Sequence, residues 1–151
     1  MKLMSKQKGF TLIEIIVVLV VLGALYAAGT QIVGENSDTA NQSNTTKIIF
    51  QSIPSAVKTY RLRRGSLTSL DKTALTNEGV PTNTPWGDAW TVSSVSGSVV
   101  NISWPLTSAN DAATVGADLV AKLTADGGNV INGTPTYTTA TKILAFAVNG
   151  N

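Results

Sequence analysis

The most informative ionisable side chain in the sequence is Glu14, because it lies inside an apolar stretch. The residues from Phe10 to Gly29 contain no other strongly polar side chain. A carboxylate deep in an apolar segment costs about 2.5–3.5 kcal/mol on insertion scales, and such a residue is functional by default. We therefore expect Glu14 either to pair with an ammonium group or to extend to water at the helix end.

Other chemistry is restricted by composition. The chain has no Cys and no His, which excludes thiol nucleophiles, disulfides, Ser-His-Asp triads and zinc fingers. Gly127-Gly128 precedes Asn129 rather than the Lys of a phosphate-binding loop. Six acidic residues show neither EF-hand spacing nor a close carboxylate pair: Asp71, Glu78, Asp88, Asp111, Asp118 and Asp126. The sequence predicts no enzyme, no cofactor and no metal site.

The amino-terminal residues predict a single membrane span. The 151-residue chain is only 13% charged, against about 25% in typical soluble proteins. A helix over residues 10–29 would cover about 30 Å, the thickness of a bilayer core. Lys2, Lys6 and Lys8 precede it without an acidic residue, so we expect residues 1–9 to stay cytoplasmic. The alternative is a secretory signal cleaved near Ala27, which Glu14 argues against.

The run Lys8-Gly9-Phe10-Thr11-Leu12-Ile13-Glu14 resembles the processing site of type IV prepilins. The shared features are a basic leader ending in Gly, a following Phe, a Glu four positions later and a long apolar helix. The strong resemblance covers about residues 5–30. It implies that a membrane prepilin peptidase cleaves after Gly9 and that the new Phe10 amine is methylated.

The resemblance also implies a role in assembly. In a filament, Glu14 of one subunit would pair with the Phe10 ammonium of its neighbour. Three parts of the chain follow: a leader at residues 1–9, a transmembrane and filament-core helix at 10–29, and an extracytoplasmic globular domain at 30–151. Removing the leader leaves 142 residues with 8 basic and 9 acidic side chains, so the apparent basicity belongs to the leader.

The function implied is that of a structural subunit of a type IV pilus, possibly of the IVb class. The precursor would sit in the bacterial inner membrane in contact with lipid, and the mature form in an extracellular filament. Its partners would be other pilin subunits, the prepilin peptidase and the inner-membrane assembly machinery. A minor pilin, a type II secretion pseudopilin and a non-polymerising membrane-anchored binding protein remain alternatives.

We predict an α+β fold, with a long amino-terminal helix packed on an antiparallel sheet. The helix has a membrane-spanning half and an amphipathic half. Pro54 is expected to disrupt the amphipathic half locally and Gly65 to end it. A hinge farther upstream would have to use Gly23, Gly29 or Gly34. The apolar positions of the amphipathic half recur at three- and four-residue spacing: Ile48, Ile49, Ile53, Ala56, Val57 and Tyr60.

The remaining elements are a helical turn near Leu70–Leu75, a hairpin, a second helix and a closing strand. The hairpin joins residues 90–95 to 99–104, with Val92 opposite Ile102 and Ser94 opposite Val100 across a three-residue loop. The second helix runs over 108–125 and is capped by Ser108. Residues 142–148 form an unbroken apolar run, typical of a strand that is buried on both faces.

Two surface clusters are candidates for binding. Arg61, Arg63 and Arg64 can contact DNA phosphates, although a cluster that complements the helix dipole or meets an acidic neighbour is the favoured interpretation. Trp86, Trp90 and Trp104 are a candidate platform for binding a sugar or a surface, but Trp90 and Trp104 fit a hairpin core better. Trp86, between Pro85 and Gly87, is expected to be the exposed aromatic residue.

Overall fold

The computed structural model describes the backbone of residues 12–150, and the side chains of residues 12–26 and 37–150. The chain divides into two compact units, Met1–Asn36 and Ser37–Asn151. Helix α1 is assigned to Leu12–Lys47, a π-helical turn to Ile48–Ser52 and helix α2 to Ile53–Arg64. The elements that follow are α3 (Lys72–Asn77), β1 (Thr91–Ser96), β2 (Val99–Pro105), α4 (Ala112–Asp126), β3 (Thr136–Thr138) and β4 (Ile143–Asn149).

Pro54 disrupts the helical ladder locally, as predicted. Proline has no N–H, and its ring displaces the carbonyl four residues earlier. The chain responds with the π turn just upstream, in which the Ile53 N–H bonds to the Ile48 carbonyl oxygen five residues back. The helical backbone continues through Gly23, Gly29 and Gly34, so the irregularity lies at none of the predicted glycine hinges.

Helix α2 is amphipathic and ends at Gly65, as the sequence predicted. Its inward residues Ile53, Ala56 and Val57 are buried. Gly65 adopts a φ of 72° and its N–H bonds to the Arg61 carbonyl oxygen. Glycine enters this left-handed region without steric cost, and it therefore makes a favourable helix terminus.

The α+β prediction is confirmed by a four-stranded antiparallel sheet in the order β1-β2-β4-β3. β4 is central in the sheet, but its predicted burial on both faces is wrong. Leu144, Phe146 and Val148 are buried, whereas Ala145 between them is exposed. The odd positions of β4, which carry the small residues Ala145 and Ala147, lie on the face of the sheet that is open to solvent.

The predicted hairpin register agrees with the structure at the open end of the hairpin and differs from it near the turn. Val92 opposes Ile102 as predicted, but a bulge then shifts the pairing so that Ser94 opposes Asn101 and Val95 opposes Val100. The shift turns Val95, rather than Ser94, toward the core. The loop is consequently two residues long, with Gly97 at φ 60° in its first position, as a type II′ turn requires.

Helix α4 begins later than predicted. Its cap is Asp111, whose carboxylate accepts a hydrogen bond from the Thr114 N–H. Ser108 does not cap the helix because Asp88 binds both its N–H and its hydroxyl. The predicted apolar stripe is confirmed, since all of its members are buried: Ala112, Val115, Leu119 and Leu123.

The core of residues 37–150 lies between these helices and one face of the sheet. Trp90 and Trp104 are both 0% exposed, and their rings stack with centroids 5.9 Å apart. The Phe146 ring lies 6.4 Å from that of Trp104. The predicted placement of both tryptophans in the hairpin core is therefore confirmed.

Candidate assembly helix and processing junction

Glu14 lies in the first turn of α1 and is exposed. A carboxylate is favourable there because the helix dipole places partial positive charge at the amino-terminal end. Gly9 and Phe10, the predicted cleavage site and its new terminus, lie outside the described residues. The proposed pairing of Glu14 with a Phe10 ammonium thus stays a prediction.

The apolar side chains around Glu14 are exposed on every side of the helix. Each large apolar residue from Leu12 to Tyr26 is between 47% and 79% exposed. An apolar stripe on one side would fit a helix lying on its own domain. A helix that is apolar all round instead requires lipid or other protein around it.

A shallow groove of about 320 Å³ runs beside the carboxylate. Its lining is formed by Ile13, Glu14, Val17 and Val18. Residues at this spacing lie on one face of a helix, so the groove is an apolar surface with a single charged edge. An apolar helix from a second chain that ended in an ammonium group would complement it.

The predicted membrane-spanning half is not confirmed. Over the described part of the chain, no helix combines the length and the apolarity that a membrane span requires.

A second polar site lies in the Ser37–Asn151 unit, around Asp38, which sequence analysis missed. Asp38 is only 6% exposed. Its carboxylate accepts hydrogen bonds from Trp86 Nε1 at 2.8 Å, the Asp111 N–H at 3.0 Å and the Asn110 N–H and Nδ2 at 3.4 Å. Asp38 thereby joins α1 to two loops.

The pKa of Asp38 reflects two opposing causes. Burial raises it, but the hydrogen bonds from Asp111, Trp86 and Asn110 outweigh burial and hold it below the ordinary value of 3.8. Trp86 is the most exposed of the three tryptophans, as predicted, but it is half-buried and bound to Asp38 rather than free at the surface. No local sequence pattern marks this pair, because the two residues are 48 positions apart.

Asp88 organises the neighbouring loop in the same way. Its carboxylate accepts hydrogen bonds from the Thr107 hydroxyl and from the N–H and hydroxyl of Ser108. Burial raises the pKa of Asp88, and these donors outweigh it and lower the pKa below its ordinary value. Both carboxylates therefore hold loops in place, and their hydrogen bonds leave them poorly suited to acid-base catalysis.

The arginine cluster at the end of α2 is tied largely to its own domain. Arg61 donates a 2.6 Å hydrogen bond to the Gly150 carbonyl oxygen, and Arg63 forms a 2.8 Å ion pair with Glu78. Two of the three cations thus have internal roles, which weakens the DNA-binding interpretation. Among the described residues, no group of acidic side chains is arranged to hold a metal ion.

The comparison with protein families concerns the amino terminus. The prokaryotic N-terminal methylation motif matches residues 4–28. The chain carries the type IV prepilin signature. No curated protein and no solved structure gives a significant match. Proteins with this signature are structural rather than enzymatic, and they are made as prepilin-type precursors of the pilin or pseudopilin kind.

The matched segment covers residues 4–9 of the predicted leader, the Gly9-Phe10 junction and Glu14. The prepilin signature implies processing by a prepilin peptidase and assembly into pilus-type polymers. Within the match, the described residues from Leu12 to Tyr26 form the exposed apolar helix. The signature and the exposed helix therefore occupy the same segment of the chain.

Proposed function

We propose that this protein is a structural subunit of a type IV pilus, cleaved after Gly9, methylated at Phe10 and polymerised through its amino-terminal helix. The observation that carries the proposal is the helix that is apolar on all sides, with Glu14 as its single charged residue near the start. Such a helix is stable only when other apolar groups surround it. Neighbouring copies of the same helix supply that environment in a filament.

Cleavage would place a new positive charge close to Glu14 in sequence. A new ammonium group at Phe10 would lie four residues before Glu14. In a filament core, a carboxylate and an ammonium of adjacent subunits would compensate each other, where either alone would be strongly unfavourable. The pair would also set the axial register between subunits.

The proposal includes a change of compartment. The precursor would lie in the bacterial inner membrane, in contact with lipid, with residues 1–9 cytoplasmic. The prepilin peptidase and the inner-membrane assembly machinery would act on it there. The mature subunit would then move into an extracellular homopolymer, with residues 30–151 forming the globular part.

Two alternatives use the same amino-terminal segment. A minor pilin or a type II secretion pseudopilin would assemble in small numbers. A membrane-anchored binding protein would keep its helix in lipid and never polymerise. DNA binding has less support, since Arg61 and Arg63 bond within the domain.

Electron microscopy of cells with and without the gene tests the proposal. We expect abundant surface filaments that disappear with the gene, and sheared filaments that contain this chain as their main component. A filament that retains its abundance while this chain is lost would indicate a minor subunit. Processed protein in the membrane without any filament would support the anchored binding protein and contradict the proposal.

A further inference from the structure

The open face of the sheet contains a groove built from residues 93–147, outside the amino-terminal helix. It encloses about 550 Å³, within the range of small-ligand sites. The side chains of its walls are hydroxyls and amides, and small alanines lie on its floor. The polar side chains of the lining are those of Ser93, Ser94, Asn101, Asn132, Thr134 and Thr136.

The β-bulge builds one wall of this groove. In a regular strand, consecutive side chains point to opposite faces, so Ser93 and Ser94 would separate. The register shift between Val92 and Ser94 brings both serines to the open face, where both line the groove. Bulges commonly redirect side chains in this way. Asn101 Nδ2 lies 3.0 Å from Ser94 Oγ and connects this wall to β2.

The opposite wall is held by the backbone of residues 130–134. The Asn132 N–H donates to the Ala147 carbonyl oxygen and the Asn149 N–H donates to that of Val130, both at 2.8 Å. Ile131 also forms a bridge with Val148. Asn132 and Thr134 are thus presented beside β4 from a fixed segment, and the groove is preformed.

The chemistry of the lining selects the class of ligand. Every polar side chain in the groove is a hydroxyl or a carboxamide, which both donates and accepts hydrogen bonds, and none is ionisable. Sugar hydroxyls have the same dual capacity. A charged ligand would find no counter-charge in the lining. An added peptide strand would find no free ladder here, because β2 and β4 are paired on both sides.

From this lining we infer that the open sheet face binds a neutral carbohydrate, with Ser93, Ser94, Asn101, Asn132, Thr134 and Thr136 as hydrogen-bonding groups over the Ala145 and Ala147 floor. The site lies wholly within the Ser37–Asn151 unit. It is independent of whether the amino-terminal helix polymerises, and it can be tested on the unassembled precursor.

An array of neutral oligosaccharides ending in galactose, glucose or N-acetylglucosamine, with sialylated and sulfated counterparts, provides the probe. The full-length chain in detergent should retain neutral oligosaccharides in preference to the anionic ones. Ala145→Ile fills the floor of the groove from an exposed position and should weaken binding at least tenfold. Thr138→Ile is the matched control, because Thr138 is an exposed β3 residue outside the lining, and it should leave binding unchanged.

Asn101→Ala provides a second variant that removes a carboxamide without adding bulk, and it should also weaken binding about tenfold. Thermal unfolding of each variant checks that the fold is retained. Failure of the unmodified chain to retain any neutral oligosaccharide would overturn the inference. Binding that Ala145→Ile and Asn101→Ala leave unchanged, or a preference for the anionic glycans, would do the same.

Discussion

Arg61 and Gly150 are joined across 89 positions of sequence by a 2.6 Å hydrogen bond from Arg61 Nη1 to the Gly150 carbonyl oxygen. The Gly150 N–H donates in turn to the Ser98 carbonyl oxygen at 2.6 Å. The segment after β4 is therefore held between α2 and the hairpin turn. The protein has no cysteine, so these contacts and the strand pairing hold this segment in place of a disulfide.

Gly150→Val should destabilise this junction. A Cβ atom at Gly150 would lie 2.6 Å from Leu67 Cδ1 and 2.9 Å from the Ser98 carbonyl oxygen. Overpacking of this kind typically costs about 1–3 kcal/mol. Urea unfolding of the variant measures the loss, with Ser96→Val at an exposed β1 position as control. Equal stability of Gly150→Val and the unmodified chain would contradict the packing described.

Phe146→Ala tests the central position of β4. Phe146 is 4% exposed and lies against Trp104, and removing a buried aromatic ring costs about 3–5 kcal/mol. We expect a large fall in thermal stability, and a small change for Ala145→Ser on the open face of the same strand. A Phe146→Ala variant as stable as the unmodified chain would refute the central-strand assignment.

Asp38→Asn should destabilise the fold more at neutral pH than in acid. The pKa of Asp38 is lowered, so its contribution is complete above the ordinary value of 3.8 and is lost as the pH falls through the lowered pKa. Hydrogen bonds to a charged acceptor contribute about 1.5–3 kcal/mol. Unfolding at pH 7 and at pH 2 should show a difference between variant and unmodified chain that shrinks in acid.

Asp118→Asn, at an exposed position on α4, serves as the control for this measurement. It should leave stability nearly unchanged at pH 7. A difference between Asp38→Asn and the unmodified chain that is the same at both pH values would show that Asp38 acts through its shape rather than its charge.

Gly9→Val should block processing. A side chain at the cleavage position would obstruct the peptidase, so the uncut precursor should accumulate. Mass spectrometry of the mature unmodified protein should find methylated Phe10 as its first residue. A first residue near Ala27 would instead identify an ordinary signal peptide and contradict the cleavage proposal.

Glu14→Leu separates a polymer from a membrane anchor. A protein that is only anchored should insert at least as well without the carboxylate. A pilus subunit should still be cleaved, yet it should lose assembly because the neighbouring Phe10 ammonium would be left uncompensated at a cost of several kcal/mol. Sheared filament is measured against processed subunit in the membrane, with the charge-retaining Glu14→Asp as comparison. Normal filament yield from Glu14→Leu would rule out the pairing role.

Local sequence was enough to predict the features that depend on neighbouring residues. The prepilin signature is a contiguous pattern around Gly9, Phe10 and Glu14, and the family comparison confirms it. The effect of Pro54 and the end of α2 at Gly65 follow from backbone geometry at single positions. The buried stripes of α2 and α4 follow from helical periodicity.

Tertiary structure decided the features that depend on residues far apart in the chain. The cap of α4 moved from Ser108 to Asp111 because Asp88, twenty residues earlier, takes the Ser108 hydrogen bonds. Trp86 turned inward because Asp38 offers a buried acceptor 48 residues away. The bulge in β1 placed Val95 against the core and Ser93 and Ser94 on the open face, where a regular hairpin would have set Ser94 opposite Val100. Hydrogen bonds and strand pairings between residues far apart in the sequence leave no local pattern, because they depend on which groups the folded chain brings together.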